Sequence, residues 1–170
     1  TDYKIYGTYT RFNLYPDKKF LNQVNLGVSV GRRDDYFGSS AQDEYARANL
    51  SLRFTEFNQA YIQFENAMER YEGIHFHKNS LSLEAENNLI AWMPFGLFFE
   101  IGDSINYDPE DPFLGWGITS GVTLNFKPSK RLVMGLDYSK STFWETRGGV
   151  RLWDYNVLRQ RTSYQLSKVL

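Results

Sequence analysis

The sequence predicts an all-β protein, an antiparallel up-and-down transmembrane β-barrel, on three observations. From Leu97 to Lys168 apolar side chains recur at every second position, which is the period of a strand with one oily and one polar face. Most segments marked in this way run to about ten residues or more, the length a tilted strand needs to cross hydrocarbon. Over the same stretch the short connection Pro128-Ser129-Lys130 is flanked by longer ones, Asp108 to Gly115 and Glu145 to Asp154, rich in Pro, Gly and charge. Short turn alternating with long loop is the rhythm of an outer-membrane barrel.

Taken in order, Tyr3 to Asn13 puts Tyr3, Ile5 and Tyr9 on one face and Tyr6 and Phe12 on the other. Pro16-Asp17-Lys18-Lys19 makes a polar turn. Phe20, Val24, Leu26, Val28 and Val30 then alternate with Gln23, Asn25, Gly27, Ser29 and Gly31. A loop from Arg33 to Glu44 precedes Ala46, Ala48, Leu50, Leu52 and Phe54, opposed by Arg47, Asn49, Ser51 and Arg53, and Glu56-Phe57-Asn58 turns the chain. Ala60, Ile62, Phe64 and Met68 oppose Gln63, Glu65 and Glu69; after Tyr71-Glu72-Gly73, Leu81, Leu83 and Ala85 oppose Ser82, Glu84 and Glu86. Leu89 to Gly96 holds an aromatic turn with Trp92 and Phe95, suited to a membrane interface. Then come Leu97 to Tyr107, Trp116 to Phe126, Leu132 to Tyr138, and Tyr155 to Lys168 with Leu158, Thr162, Tyr164 and Leu166 against Arg159, Arg161, Ser163 and Gln165. That is about nine strands, whereas single-chain bacterial barrels have even numbers. The pattern also stops within a strand at Ser167-Lys168-Val169-Leu170. Residues 1–170 are therefore expected to form one β-barrel domain, part of a longer chain and a larger even-stranded barrel.

Composition is consistent with this and narrows the function classes. The chain is 42% hydrophobic with a mean hydropathy of -0.50, and no run approaches the roughly 20 apolar residues of a spanning helix, so a helical membrane protein is excluded. A barrel passes the same test because only alternate residues meet lipid. Aromatics make up 17% of residues, a share that favours strands and headgroup belts. Net charge is -1 with dispersed basic residues, so no nucleic-acid surface is expected. No cysteine is present, which suits an envelope protein without disulfides.

The polar parity separates a membrane barrel from a soluble one. It carries Gly, Ser, Thr, Asn and Gln with charges of both signs, and Arg47, Arg53, Glu65, Glu84, Glu86, Glu100, Asp137, Arg159 and Arg161 are expected to form a lumen charge ladder. A final hairpin turning near Gly148-Gly149 would bring Asp137 between Arg159 and Arg161, close enough for charge-assisted contact. A turn near Ala91-Trp92 would set Glu84 nearly opposite Glu100. Trp92, Phe95, Trp116, Trp144 and Trp153 are the expected interface aromatics.

The run IGDSINYDPEDPFLGWG, continuing through LNFKPSKRLVMGLDYSKS to WDYNVLRQRTSYQLSK, carries a Gly-Asp-x-Ile-Asn-Tyr strand end and a Pro-containing turn before a basic-flanked strand. Its final strand holds Asn156, Arg159, Arg161, Tyr164 and Gln165. In these features it resembles, most strongly over 97–168, the C-terminal barrel domain, of unknown function, of large bacterial envelope proteins. Those proteins carry an N-terminal carbohydrate-binding module of the family-9 type. The resemblance implies an outer-membrane location, further strands beyond Leu170 and no catalytic residues; the module is absent here, so its sugar binding does not carry over.

Other constellations are weaker. His75 and His77 share a strand face and are candidate metal ligands, but no Cys is available to complete a site, and lumen or rim histidines are the simpler account. Asp108, Glu110 and Asp111 crowd one loop without the spacing of an EF-hand. No phosphate loop or nucleophile motif is found. The expectation is thus a non-enzymatic, cofactor-free outer-membrane barrel that meets outer-membrane lipid and other envelope proteins and serves as anchor and conduit. The alternatives are a soluble barrel or sandwich binding an apolar ligand, with Leu26, Leu50, Leu124 and Leu136 buried, and an outer-membrane hydrolase using His75 or His77 with a lumen carboxylate.

Overall fold

A computed structural model describes residues 3–35, 41–55 and 58–166. Nine strands follow one another: β1 (Tyr3–Leu14), β2 (Gln23–Asp35), β3 (Ala41–Thr55), β4 (Asn58–Tyr71), β5 (Ile74–Asn87), β6 (Phe95–Asn106), β7 (Phe113–Ser129), β8 (Leu132–Trp144) and β9 (Arg151–Tyr164). They form one antiparallel sheet in sequence order, an up-and-down meander with no helix among the described residues. The described strands do not close on themselves: β1 and β9 are its two edges.

The two faces follow from the pairing, because residues directly opposite in an antiparallel ladder point the same way. Leu14, Val24, Leu52, Ala60, Ala85, Leu97, Val122, Tyr138 and Leu158 are successive partners across all nine strands, one apolar row from edge to edge. The adjacent parity forms rows such as Tyr9, Ser29, Arg47, Glu65 and Ser80, so the other face is mostly polar, with Phe98, Phe143 and Trp153 among its apolar members. For β1, whose facing the sequence leaves open, this puts Phe12 on the oily face and Tyr9 on the polar one.

Among the described residues no second layer covers the oily face. The buried apolar side chains among the described residues are Ala67, Met68, Phe76, Ile105 and Phe143, too few for the core of a soluble domain. On the oily face Leu26 is 48% exposed and Leu136 37%, while Leu50 and Leu124 are intermediate. The burial required by the soluble alternative is not met.

The connection rhythm departs from expectation outside Leu97 to Lys168. Connections after β2, β4, β6 and β8 share one end of the sheet, here the upper; those after β1, β3, β5 and β7 share the lower. The upper end includes a two-residue turn, Glu72-Gly73, whose φ values of 47° and 80° are those of the primed turn that suits strand twist. The lower end includes the long stretches 15–22 and 88–94. The second is held against the longer β7, where Asn125 N–H donates to the Pro94 carbonyl (2.9 Å) and Lys127 N–H to that of Trp92 (2.7 Å). Beyond the oily rows, strands continue with charged residues: β2 runs on through Arg32, Arg33 and Asp34 instead of opening into a loop at Arg33. Of the expected turn Glu56-Phe57-Asn58, Glu56 and Phe57 lie outside the described residues.

Candidate functional site

Register places Arg47, Arg53, Glu65, Glu84, Glu86, Glu100, Asp137, Arg159 and Arg161 on the polar face. Their contacts are uneven. Arg47 and Glu65 are direct partners on β3 and β4 and form an ion pair, with the guanidinium 4.1 Å from the centre of the Tyr45 ring. That ring lies flat over Gly31 of β2, where a Cβ would come within 2.5 Å of ring carbon, so glycine is needed for close approach. Gln59 Nε2–H donates to Glu86 (2.7 Å).

Two contacts expected from the sequence are not made. Arg159, not the gap between the arginines, stands opposite Asp137, and Arg161 stands opposite Gly135. Neither arginine makes an ion pair among the described residues: β9 is an edge, both side chains are exposed, and no strand beyond it restrains their rotamers. Glu100 faces Ser82 and Glu84 faces Phe98, so the two carboxylates are diagonal, not opposed.

The densest charge cluster, which sequence reasoning missed, is at the upper end of the same face. Arg33 pairs with Asp43 across β2 and β3, and Lys78 Nζ lies 2.5 Å from Glu69 across β4 and β5. Asp43 and Glu69 are themselves direct partners, so each carboxylate is neutralised by a cation on its outer side. With Tyr45, Arg47 and Glu65 these groups line an open cavity of about 480 Å³. From the connection beyond β6, Tyr107 O–H donates to Glu69 (3.0 Å) and its ring meets Tyr71 edge-on at 5.2 Å. Burial, and then the hydrogen bond to the Glu69 carboxylate, pushes the Tyr107 phenol up to about 12. The signal for this cluster was present in the sequence only as Arg33, Asp43, Glu69 and Lys78 on compatible parities; register was needed to unite them.

The aromatics divide between faces. Trp116 and Trp144 are direct partners at the upper edge of the oily face; Trp92, packed edge-on against Phe126 at 5.8 Å, and Phe95, opposite Leu124, mark its lower edge. Trp153 departs from expectation: it pairs with Phe143 on the polar face and stacks on that ring at 5.1 Å, with Tyr155 stacked beyond at 5.4 Å. A shift of register between Phe143 and Trp144 separates Trp153 from the outward indoles.

His75 and His77 continue the oily parity at the upper rim and not the polar parity expected of lumen residues, with His77 opposite Met68 and His75 Nδ1 3.3 Å from Met68 sulfur. Among the described residues no group of three His, Cys, Asp or Glu side chains is gathered as a metal site. Asp108 caps its own turn by accepting from Glu110 N–H (3.0 Å). No family model, curated protein or solved structure matches this chain.

Proposed function

We propose that this chain forms the wall of a bacterial outer-membrane β-barrel, anchoring a larger envelope protein or complex and lining a polar conduit through the bilayer, with no enzymatic step of its own. The observation that carries the reading is the unbroken apolar row across nine strands with none of the described residues packed over it as a second layer. In water such a face would drive aggregation; against lipid tails it is solvated. In β3 the apolar run Ala46 to Phe54 spans about 27 Å along the strand at ~3.4 Å per residue, or near 22 Å along the membrane normal at a tilt of about 35°. That is close to the ~25 Å band of outer-membrane barrels, and indoles stand at both edges, as such bands require. The strand edges of β1 and β9 must then be paired inside the bilayer, by one another or by further strands, since hydrocarbon satisfies no free N–H or C=O.

The likeness of Leu97 to Lys168 to the barrel domain of module-bearing envelope proteins points the same way. Expression behind a secretion leader in a Gram-negative host tests the reading: the chain is expected in the outer-membrane fraction, resistant to alkaline carbonate extraction and shifted in gel mobility by heating. Recovery in the soluble periplasm overturns it.

A further inference from the structure

The oily face changes character at the upper ends of β7, β8 and β9. Lys140 stands one alternate position, about 7 Å, beyond Tyr138, where the apolar run of β8 on that face is interrupted before Trp144. Asp154 is opposite Thr142 one row further up, and Trp144 and Trp116 close the patch above. A single Asp154 oxygen, Oδ2, is shared by two cations, Arg151 Nη1 at 3.0 Å and Lys140 Nζ at 3.6 Å. Thr142 hydroxyl donates to the other oxygen at 3.5 Å. Arg151 reaches the carboxylate because the register shift at the top of β9 turns it to the outward side while Trp153 stays on the polar one. The groups line an open cavity of about 260 Å³ together with Ile118 and Ser120 of β7.

We propose that this cavity binds the phosphate of an anionic lipid headgroup, in the leaflet at the upper ends of the strands. The inference rests on the membrane reading and goes beyond it by naming a lipid class and its site. Two cations against one carboxylate leave a positive excess, and both remain open to a ligand, with Lys140 45% and Arg151 61% exposed. Arg147 lies over the Trp116 ring at 5.1 Å, and the adjoining connection 145–150, with one Glu and one Arg, carries no net charge. The other outward ion cluster, on β2 and β3, has the opposite balance, Arg32 between Asp34 and Glu44. A phosphate held by Lys140 and Arg151 would lay its acyl chains along Tyr138, Leu158 and Leu136, and indoles at that depth suit the headgroup layer.

The test uses the full chain folded into phosphatidylcholine vesicles and titrated with phosphatidic acid or phosphatidylcholine carrying brominated acyl chains, read as quenching of tryptophan fluorescence. Phosphatidic acid is expected to associate roughly fivefold more strongly than phosphatidylcholine, the effect of about one membrane-surface cation. Lys140→Gln with Arg151→Gln should bring that ratio near one, while the charge-matched control at the lower end, Lys130→Gln with Arg131→Gln, should retain it. Equal quenching by both lipids in the unsubstituted chain, or a preference that survives the Lys140/Arg151 pair, overturns the site and leaves the membrane reading standing. Loss of the preference in 10 mM inorganic phosphate, at matched ionic strength, assigns the pocket to a soluble anion and overturns the lipid. Failure to insert into phosphatidylcholine overturns both readings.

Discussion

Arg47 and Glu65 illustrate what a single pair contributes on the polar face. Both side chains are partly exposed, so water competes with the ion pair, and a double-mutant cycle with Arg47→Ala and Glu65→Ala, read by urea unfolding from vesicles, is expected to give a coupling of about 1 kcal/mol or less. Gly31 is less forgiving: Gly31→Ala pushes a methyl into the Tyr45 ring above it and should cost about 1–3 kcal/mol in the same assay, with Tyr45→Ala restoring part of the loss. Tyr107 supplies a pH signature. Its folded-state ionisation lies near 12 against an ordinary 10, because burial and the Glu69 carboxylate both favour the neutral phenol. Its contribution is therefore complete below pH ~10 and is lost as pH rises from there towards ~12. The tyrosinate absorbance missing from Tyr107→Phe should titrate late, near pH 12, and Glu69→Gln should move that transition down towards 10.

At the scale of the strand, parity was legible in the sequence and register was not. A period of two shows directly which of Leu132, Met134, Leu136 and Tyr138 share a face, because a strand has no other way to place successive side chains. Which residue stands opposite depends instead on turn length and bulges. The final hairpin therefore set Asp137 against Arg159, and the register shift at Phe143/Trp144 parted Trp153 from Trp144. The same dependence hid the ladder of Arg33, Asp43, Glu69 and Lys78, which needs two registers at once. Parity still makes a sharp prediction between neighbours. Leu136→Arg introduces a charge into the apolar run of β8 and is expected to destabilise the folded protein in bilayers by roughly 2–4 kcal/mol, whereas Asp137→Asn, one residue on and on the polar face, should stay within about 0.5 kcal/mol. Equal costs at the two positions would mean that the faces are not solvated by different media.

Across the whole molecule the apolar run does not keep to one row of partners: its centre follows Leu50, Ile62, Leu83 and Phe99 from β3 to β6 and is displaced towards the lower end in β7 and β8. In β3 it spans Ala46 to Phe54, centred on Leu50, and in β8 it spans Leu132 to Tyr138, centred on Gly135. The row of partners through Leu136 passes Leu124, Phe95, Asn87 and Asn58 and meets β3 at Thr55. Gly135 lies one residue beyond that row, so with the bulge between Arg53 and Thr55 left out the centre of the run has moved about five residues over the five strand-to-strand steps from β3 to β8, an average of about one residue per step. With a rise of ~3.3 Å per residue and a spacing of ~4.8 Å between strands, a level band requires the strands to lean by about 35°. Strands of closed barrels tilt by roughly 35–45°, so the drift of the hydrophobic pattern against the hydrogen-bond rows corresponds to the shear that closure demands. Polarised infrared spectra of the protein in oriented bilayers should then give an amide I dichroism corresponding to strands about 35° from the normal. An unordered signal, or strands parallel to the membrane plane, would mean that the apolar face meets something other than a spanning layer of lipid.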